Sequence, residues 1–261
     1  MDDKEIAKYW DGNAENWTKL ARMGFDIYRN YVNTPEFFRI LPDISGLKGI
    51  DIGCGEGYNT RIASKKGAQI IGIDISKTFI EKAIEEEEKT PLGIKYKVIS
   101  ATNLPFANNE FEFAISTMAF MDLSQLNKAL EEVYRVVKPS GFFQFSILHP
   151  CFFTPVRGWI KDDKGKIKGL MCGDYFNELH VEIDEWIFSA APKELIKDMN
   201  KFRVPTFHRT LSTWLNTIVD VGFKLEKFSE PKPVSQGCET YPELTHCNIV
   251  AYSLIIRCRK E

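Results

Sequence analysis

The segment Lys48–Gly57 reads Lys-Gly-Ile-Asp-Ile-Gly-Cys-Gly-Glu-Gly, a short apolar run that leads directly into a glycine-rich turn. The pattern predicts a buried strand and then a turn in which glycine lets the backbone approach a ligand without a Cβ in the way. A helix after the turn would direct unpaired N–H groups and the positive end of its dipole at that ligand. The next apolar run, Gln69–Asp74, ends in an acid that is placed to accept hydrogen bonds from a ribose diol. The two segments together indicate a cofactor that contains a nucleoside.

The composition is that of an ordinary globular chain. It has 261 residues, 44% hydrophobic and 27% charged, and a formal net charge of -2. That charge gives no overall basic field to hold nucleic acid, so no nucleic-acid partner is expected. No apolar run approaches the ~20 residues of a membrane span, and the charged segment Met1–Glu5 has no signal-peptide core, so we expect a cytoplasmic protein with no membrane association. The six cysteines form no C-x-x-C pair, which predicts free thiols and no metal site.

Strands and helices alternate through the first half of the chain. This rhythm predicts a parallel sheet that is covered by helices on both faces. Residues 3–41 are predicted to be helical and are rich in aromatic side chains. The predicted strands are Gly49–Ile52, Gln69–Asp74, Ile94–Ile99, Phe111–Thr117 and Phe142–Leu148. The predicted helices are Tyr58–Lys66, Lys77–Glu88 and Gln125–Val137.

The alternation breaks after His149 and returns near Thr206. Within the break, a hairpin is predicted from Val156–Ile160 and Lys166–Leu170, and Val181–Phe188 has strand-like alternation. A helix at Leu211–Val221 then precedes two strands at Phe223–Phe228 and Asn248–Cys258. These strands are expected to pair antiparallel, because the intervening Glu230–Cys247 has no helix signal.

Four segments resemble the class I S-adenosylmethionine (SAM)-dependent methyltransferases, in particular the ubiquinone/menaquinone-biosynthesis-like, small-molecule branch. They are Asp51–Gly57, Gly72–Ser76, Asn103–Phe106 followed by Phe111–Phe113, and Arg135–Gly141. The resemblance implies an α/β, Rossmann-like seven-stranded sheet of order 3-2-1-4-5-7-6, with strand 7 antiparallel and helices on both faces. It further implies one domain over residues 1–261. Its parts would be an N-terminal helical cap (1–44), a SAM-binding core (45–148), a substrate-covering insertion after strand 5 (149–206) and a C-terminal completion of the sheet (207–261).

The resemblance also implies site residues. Gly53 and Gly55 would let the backbone pass against SAM, Asp51 would hold the SAM amino group, Asp74 would bind the ribose hydroxyls, and Ile75 would pack on adenine. The full set of expected cofactor-binding residues is Asp51, Gly53, Cys54, Gly55, Asp74, Ile75, Ser100, Ala101, Thr102, Ser116 and Arg29. Arg29, beside Tyr28, is a candidate to pair with the SAM carboxylate, and the alternative is a surface arginine. Residues 100–102 are Ser-Ala-Thr, where relatives usually carry an acid that binds the adenine amino group. The replacement for that acid is left open.

A Rossmann dehydrogenase also uses a glycine turn and an acid near the end of strand two. Its fingerprint would require glycine or alanine at position 58, where this chain has Tyr58. The Leu104-Pro-Phe106 element and the Lys138-Pro-Ser-Gly141 turn also favour methyl transfer. SAM is therefore the expected cofactor.

His149 is the candidate general base, because it follows strand five at the carboxyl end of the sheet and an imidazole titrates near ~6.5. The alternative is a structural histidine that packs under the insertion. His208 could also face the pocket, whereas His180 and His246 are expected at the surface or in loops. Cys151 is interpreted as a packing residue.

The expected activity is transfer of a methyl group to a small-molecule acceptor by in-line displacement. Such a reaction demands alignment and exclusion of water more than any single catalytic side chain. Two alternatives remain open: methylation of RNA or protein, and SAM binding without turnover. The sequence does not specify the acceptor or the oligomeric state.

Overall fold

A computed structural model describes residues 1–178 and 181–261. Its central feature is a seven-stranded sheet. The strands of this sheet are β1 (Lys48–Ile52), β2 (Gln69–Asp74), β3 (Lys95–Val98), β4 (Phe111–Thr117), β5 (Val137–Leu148), β10 (Phe223–Ser229) and β11 (Ser253–Lys260). Two hairpins stand apart from it, built from β6 (Val156–Lys161) with β7 (Ile167–Gly173) and from β8 (Val181–Trp186) with β9 (Phe202–Phe207).

The strand order confirms the predicted topology. From one edge to the other it is β3-β2-β1-β4-β5-β11-β10. The first five strands pair in parallel, and β11 is antiparallel to both of its neighbours. The carboxyl ends of β1, β2 and β4 therefore meet at one edge of the sheet, where ligands bind in open α/β folds.

Helices cover both faces of the sheet. They are α2 (Thr34–Ile40), α3 (Tyr58–Lys65) and α4 (Lys77–Lys89) on one side, and α5 (Leu126–Val136) and α7 (Leu211–Asp220) on the other. Each face has its own apolar core: Phe113 and Phe142 stack under the first set of helices, and Phe143 and Phe145 lie under the second. Burial of these faces provides the main driving force that holds helices on sheet.

The N-terminal helix α1 (Asp3–Arg22) lies across the carboxyl edge of the sheet and packs against the insertion. Asn13 exchanges two hydrogen bonds of 2.9 Å with the backbone of Arg203 in β9. Trp17 contacts Phe188 and Phe202, with ring centroids 5.0 and 4.8 Å apart. The aromatic residues of the cap thus share an apolar core with those of the insertion.

The predicted helical stretch 3–41 is interrupted. Gly24 takes a φ of +92° just after α1, and the chain resumes as a π-helical turn at Arg29–Asn33 before α2. A π-helical turn is rare and is found mostly at functional sites. This interruption directs Tyr28 and Arg29 toward the carboxyl edge of the sheet.

Two predictions for the second half of the chain were wrong. Glu230–Cys247 contains α8 (Ser235–Thr240) and a 3-10 helix (Pro242–Asn248), so the last strand begins only at Ser253. The short helix is stabilised by tertiary packing, since Gly237 lies against the ring of Tyr31. A short helix α6 (Lys193–Ile196) and strand β9 were not predicted, and Pro205 within β9 is a residue that argues against a strand.

No described helix is long and apolar enough to cross a membrane.

Candidate functional site

The glycine turn is built into the end of the sheet. Gly53, Gly55 and Gly57 have φ values of +72°, +55° and +87°, a region that side chains disfavour. A Cβ on Gly53 would lie 2.4 Å from the Cβ of Ala119, whereas one on Gly55 would meet nothing within 4 Å. The backbone at Gly55 therefore faces open space.

Asp74 joins the turn to the second strand. Its carboxylate accepts hydrogen bonds from the backbone amides of Gly55 at 2.8 Å and Ser76 at 2.9 Å. Burial raises the pKa of Asp74 to about 6, although these amides oppose the rise. Asp74 and Ile75 both line the cavity described below.

Asp51 lies beneath the turn and is fully buried. Its Oδ2 accepts a hydrogen bond of 2.6 Å from Thr60, while Oδ1 has no partner among the described residues. Burial raises the pKa of Asp51 to about 7. Buried carboxylates normally have all their acceptors occupied, so Oδ1 is an acceptor without a donor.

A cavity of about 240 Å³ opens over this turn. Its floor includes Gly53, Cys54 and Gly55 from the turn, with Ser100 and Ala101 after β3. Its walls and roof come from α1, the π-helical turn, the loop after β4 and the insertion. They include Ile6, Trp10, Trp17, Tyr28, Arg29, Met118, Phe120, Asp122, Asp184, Trp186, Phe188 and Thr206.

The turn after β3 is closed by an acid from the cap. Asp3 Oδ2 accepts hydrogen bonds from the hydroxyls of Ser100 at 2.5 Å and Thr102 at 2.6 Å. Asp11, further along the same helix, accepts a hydrogen bond from Ser76 Oγ at 2.7 Å. Helix α1 is thus fastened by two carboxylates over the loops that follow β3 and β2. Thr102 is buried and does not line the cavity.

Arg29 lines the cavity, but its guanidinium is already paired. Nη1 lies 3.0 Å from Glu56 Oε1, and Nε lies 3.7 Å from Asp26 Oδ2. The group also lies 3.9 Å above the ring of Tyr58. Arg22 binds the other oxygen of Glu56 at 3.2 Å, so the cap and the glycine turn share one ion-pair network.

The remaining candidates lie away from the cavity. Ser116 is fully buried and donates to the carbonyl of Ile52 at 2.7 Å. His149 is also buried: its Nε2 lies 2.8 Å from Glu230 Oε1, and its Nδ1 accepts from the amide of Cys151 at 3.3 Å. Burial lowers the pKa of His149, opposed by Glu230. His149 lies outside the lining of either described cavity, and its ring is fully hydrogen-bonded elsewhere.

Neither of the other described histidines lines the first cavity. His208 is buried and bonded to the carbonyl of Tyr175 at 2.7 Å. His246 is half-buried, lines the second cavity and lies against Trp159, with ring centroids 4.7 Å apart. His180 lies outside the described residues.

Asp122 is a cavity residue that the sequence reasoning missed. It lies in a 3-10 turn, Phe120–Asp122, directly after β4, and it is 5% exposed. Among the described residues no group forms a hydrogen bond or an ion pair with its carboxylate. Burial raises its pKa well above the usual range. A single Asp after a strand carries no motif, so only its position in the fold reveals it.

A second cavity of about 550 Å³ adjoins the first. The two share Asp26, Tyr28, Leu148, Asp184, Trp186, Phe188 and Tyr252 as a common wall. The far side of the second cavity carries Phe152, Phe153 and Trp159 from the insertion. Together the cavities form a partly covered site, open to solvent, at the carboxyl edge of the sheet. Within the described residues no group of three or more His, Cys, Asp or Glu is arranged to hold a metal ion.

Comparison with known proteins agrees with this geometry. A family model described as a methyltransferase domain matches residues 50–145. The chain is 28% identical over 217 residues to a ubiquinone biosynthesis O-methyltransferase of Rhodopseudomonas palustris, which covers 78% of this chain and 81% of that enzyme. It is 29% identical over 109 residues to a malonyl-[acyl-carrier protein] O-methyltransferase of Pectobacterium atrosepticum, covering 42% of each.

A solved structure gives a likeness over nearly the whole fold. The crystal structure of a SAM-dependent methyltransferase from Mesorhizobium loti superposes with a TM-score of 0.69 at 27% identity. The match covers 87% of this chain and 96% of the other. The matched region therefore extends beyond the sheet core to the elements that enclose the two cavities.

Proposed function

Because the chain belongs to the class I SAM-dependent methyltransferases, with SAM as its cofactor, we propose that it methylates a small molecule held in the second cavity. The observation that carries this proposal is the partial cover over the site. Helix α1 and the insertion form a roof of side chains over the strand ends, among them Ile6, Trp10 and Trp186. Cavities that bury most of a ligand are typical of small-molecule sites, which span ~300–1,000 Å³.

The residues around the glycine turn fit SAM. The unpartnered Oδ1 of Asp51 is an acceptor suited to a bound ammonium, although Asp51 lies beneath the turn and does not itself line the cavity. The open space at Gly55 lets a ligand approach the backbone closely. Asp74 holds its carboxylate beside this space, where each oxygen keeps a free lone pair for a ribose hydroxyl.

Asp3 is proposed to replace the acid that relatives carry after β3. It brings a carboxylate to the turn at Ser100–Thr102, although it comes from the other end of the chain. The adenine amino group would then meet the turn at Ser100, which lines the cavity and whose hydroxyl donates to Asp3, whereas Asp3 and Thr102 do not line the cavity. The guanidinium of Arg29 already forms an ion pair with Glu56 at 3.0 Å. We therefore propose that Arg29 contacts the SAM carboxylate while it keeps this ion pair.

When bound, SAM supplies a methyl group on a positively charged sulfur, so the acceptor atom needs an aligned lone pair. The chain's own task is to orient the acceptor and exclude water. The shared wall of the two cavities, which includes Tyr28 and Tyr252, is where an acceptor in the second cavity would meet the cofactor. Phe152, Phe153 and Trp159 would hold the apolar body of that acceptor.

The test measures transfer of a labelled methyl group from SAM to an acceptor. Purified protein is incubated with methyl-labelled SAM and a cell extract that has been divided by size into metabolites, protein and RNA. We expect label in the metabolite fraction, and a large loss of this label with Asp74→Ala. Label in protein or RNA would contradict the small-molecule acceptor, and SAM binding without any transfer would support a non-catalytic role.

A further inference from the structure

The loop after β4 places a buried acid in the first cavity with no partner. Asp122 is 5% exposed, lines the cavity and makes no hydrogen bond or ion pair within the described residues. Its carboxylate oxygens are not among the fully enclosed unpartnered atoms of the described residues, so they are accessible from the cavity. A ligand in the cavity can therefore supply the partner that the protein does not.

A second acid reaches the same space from the insertion. Asp184 in β8 lines both cavities and accepts a hydrogen bond of 2.9 Å from Thr206 Oγ1. Its other oxygen lies 3.8 Å from Arg157 Nη2, a loose ion pair. Asp122 and Asp184 both line the first cavity, and the charge of Asp184 raises the pKa of Asp122 further.

The cations nearby are already engaged. Arg29 is paired with Glu56 at 3.0 Å. Arg209 lowers the pKa of Asp122, but its guanidinium donates to the backbone carbonyls of Leu123 and Ser124 and lies outside the lining. Among the described residues, the first cavity is lined by five carboxylates and one guanidinium, that of Arg29. Asp74 and Glu56 belong to the cofactor side, and Asp26 lies 3.7 Å from Arg29. Asp122 and Asp184 remain as a surplus of acid on the acceptor side.

Aromatic rings surround this surplus. Tyr28 and Tyr252 stack with centroids 4.5 Å apart in the shared wall, and Trp186 and Phe188 line the same wall. Aromatic faces together with carboxylates recognise organic cations, because both attract a positive charge in a site with little water. A neutral acceptor would leave Asp122 without a charged partner, and an anionic one would be repelled by both acids.

We infer that the acceptor carries a basic, protonatable nitrogen that binds at the shared wall beside Asp184, on the side of the first cavity that Asp122 also lines, with its apolar body in the second cavity. This inference rests on the proposed function and names its substrate class. It assigns Asp122 and Asp184 as specificity-determining residues. The aromatic walls of the second cavity favour an aryl group as the body of the amine.

The test uses three ligands of one shape: 2-phenylethylamine, 2-phenylethanol and 3-phenylpropionate. Each is titrated by calorimetry into protein saturated with S-adenosylhomocysteine, the demethylated product of SAM. The amine is expected to bind at least about tenfold more tightly than the alcohol, a difference of about 1.4 kcal/mol, and the acid to bind most weakly.

Matched variants identify the residues. Asp122→Asn keeps the shape of the side chain and should cost the amine about tenfold in affinity, while the alcohol changes by less than about twofold. Asp184→Asn should also weaken binding of the amine. This second variant keeps the inference testable if Asp122→Asn does not fold. Asp163→Asn, an exposed acid at the tip of the β6–β7 hairpin, is the control and should change nothing.

Three results would overturn the inference: equal or tighter binding of the alcohol or acid, no binding of any of the three, or an amine preference that survives both Asp122→Asn and Asp184→Asn. Failure of the proposed function is separately visible, because the preceding titration with S-adenosylhomocysteine would then show no binding.

Discussion

The carboxylate of Asp74 accepts a hydrogen bond of 2.8 Å from the backbone amide of Gly55. The bond joins the end of β2 to the glycine turn after β1, so the acid and the turn form one unit. The same carboxylate also holds the amide of Ser76 at the start of α4. Removal of this side chain therefore affects both the shape of the turn and any ligand that lies on it.

Asp74→Ala should weaken binding of S-adenosylhomocysteine by more than about tenfold, because it removes the ribose acceptor and frees two backbone amides. Calorimetry measures the affinity, and Asp163→Ala, an exposed acid, serves as the control. An affinity within about twofold of the wild-type value would mean that Asp74 does not bind the ribose.

Gly53→Ala should destabilise the protein by about 2 kcal/mol, because its φ of +72° strains an alanine and the new Cβ would lie 2.4 Å from the Cβ of Ala119. Gly12→Ala is the matched control: Gly12 lies within α1 and a Cβ there meets nothing within 4 Å. This second change should stabilise by up to about 1 kcal/mol. Denaturant unfolding measures the free energy of unfolding of both variants. Equal changes in the two variants would show that the backbone at Gly53 is not constrained.

The stability of the ligand-free protein should fall as pH rises from about 4 to about 7, because burial raises the pKa of Asp51 from 3.8 to about 7. The folded state then favours the protonated acid, and this contribution is lost as the pH passes the folded pKa. Asp74, with a pKa raised to about 6, acts in the same direction.

Asp51→Asn should remove part of that pH dependence. The shift in the pKa of Asp51 corresponds to at most about 4 kcal/mol, and a buried amide offsets part of the gain, so the variant should be about 2 kcal/mol more stable at about pH 8. The affinity of the variant for SAM should fall. Unfolding curves at a series of pH values measure the pH dependence of stability. An unchanged pH profile in the variant would contradict the raised pKa of Asp51.

Asp3→Ala should weaken S-adenosylhomocysteine binding by about three- to tenfold, because it removes the carboxylate that holds the hydroxyls of Ser100 and Thr102. Lys4→Ala, an exposed neighbour on the same helix, should have no effect. The comparison must be made with an adenine-free analogue as well. A loss that is equal for both ligands would place Asp3 in the closure of α1 rather than at the adenine.

The sheet could be predicted from the sequence because its signals are local. Each strand from Lys48 to Leu148 is an apolar run bounded by turn residues, and the order follows from the alternation with helices. Strand β9 was not predicted because Pro205 argues against a strand. In the structure, β9 forms because it pairs with β8 in an antiparallel hairpin. Helix α8 was missed because its stability comes from packing on Tyr31, not from its own sequence.

The cofactor side of the site could also be predicted, since Gly53, Gly55 and Asp74 belong to one short motif. The acceptor side could not, because Asp122 becomes significant only when the insertion brings Asp184 to it. His149 follows β5 as predicted, but its backbone amide binds the carbonyl of Tyr252 at 3.1 Å and its ring faces Glu230. The direction that the chain takes after β5, and therefore the direction in which the His149 ring points, could not be predicted from the residue type alone.

Calorimetric titration of the wild-type protein with SAM and with S-adenosylhomocysteine tests the central claim most directly. We expect one molecule of either ligand to bind per chain, with binding weakened by Asp74→Ala and unaffected by Asp163→Ala. Absence of binding by both ligands to folded wild-type protein would contradict the account.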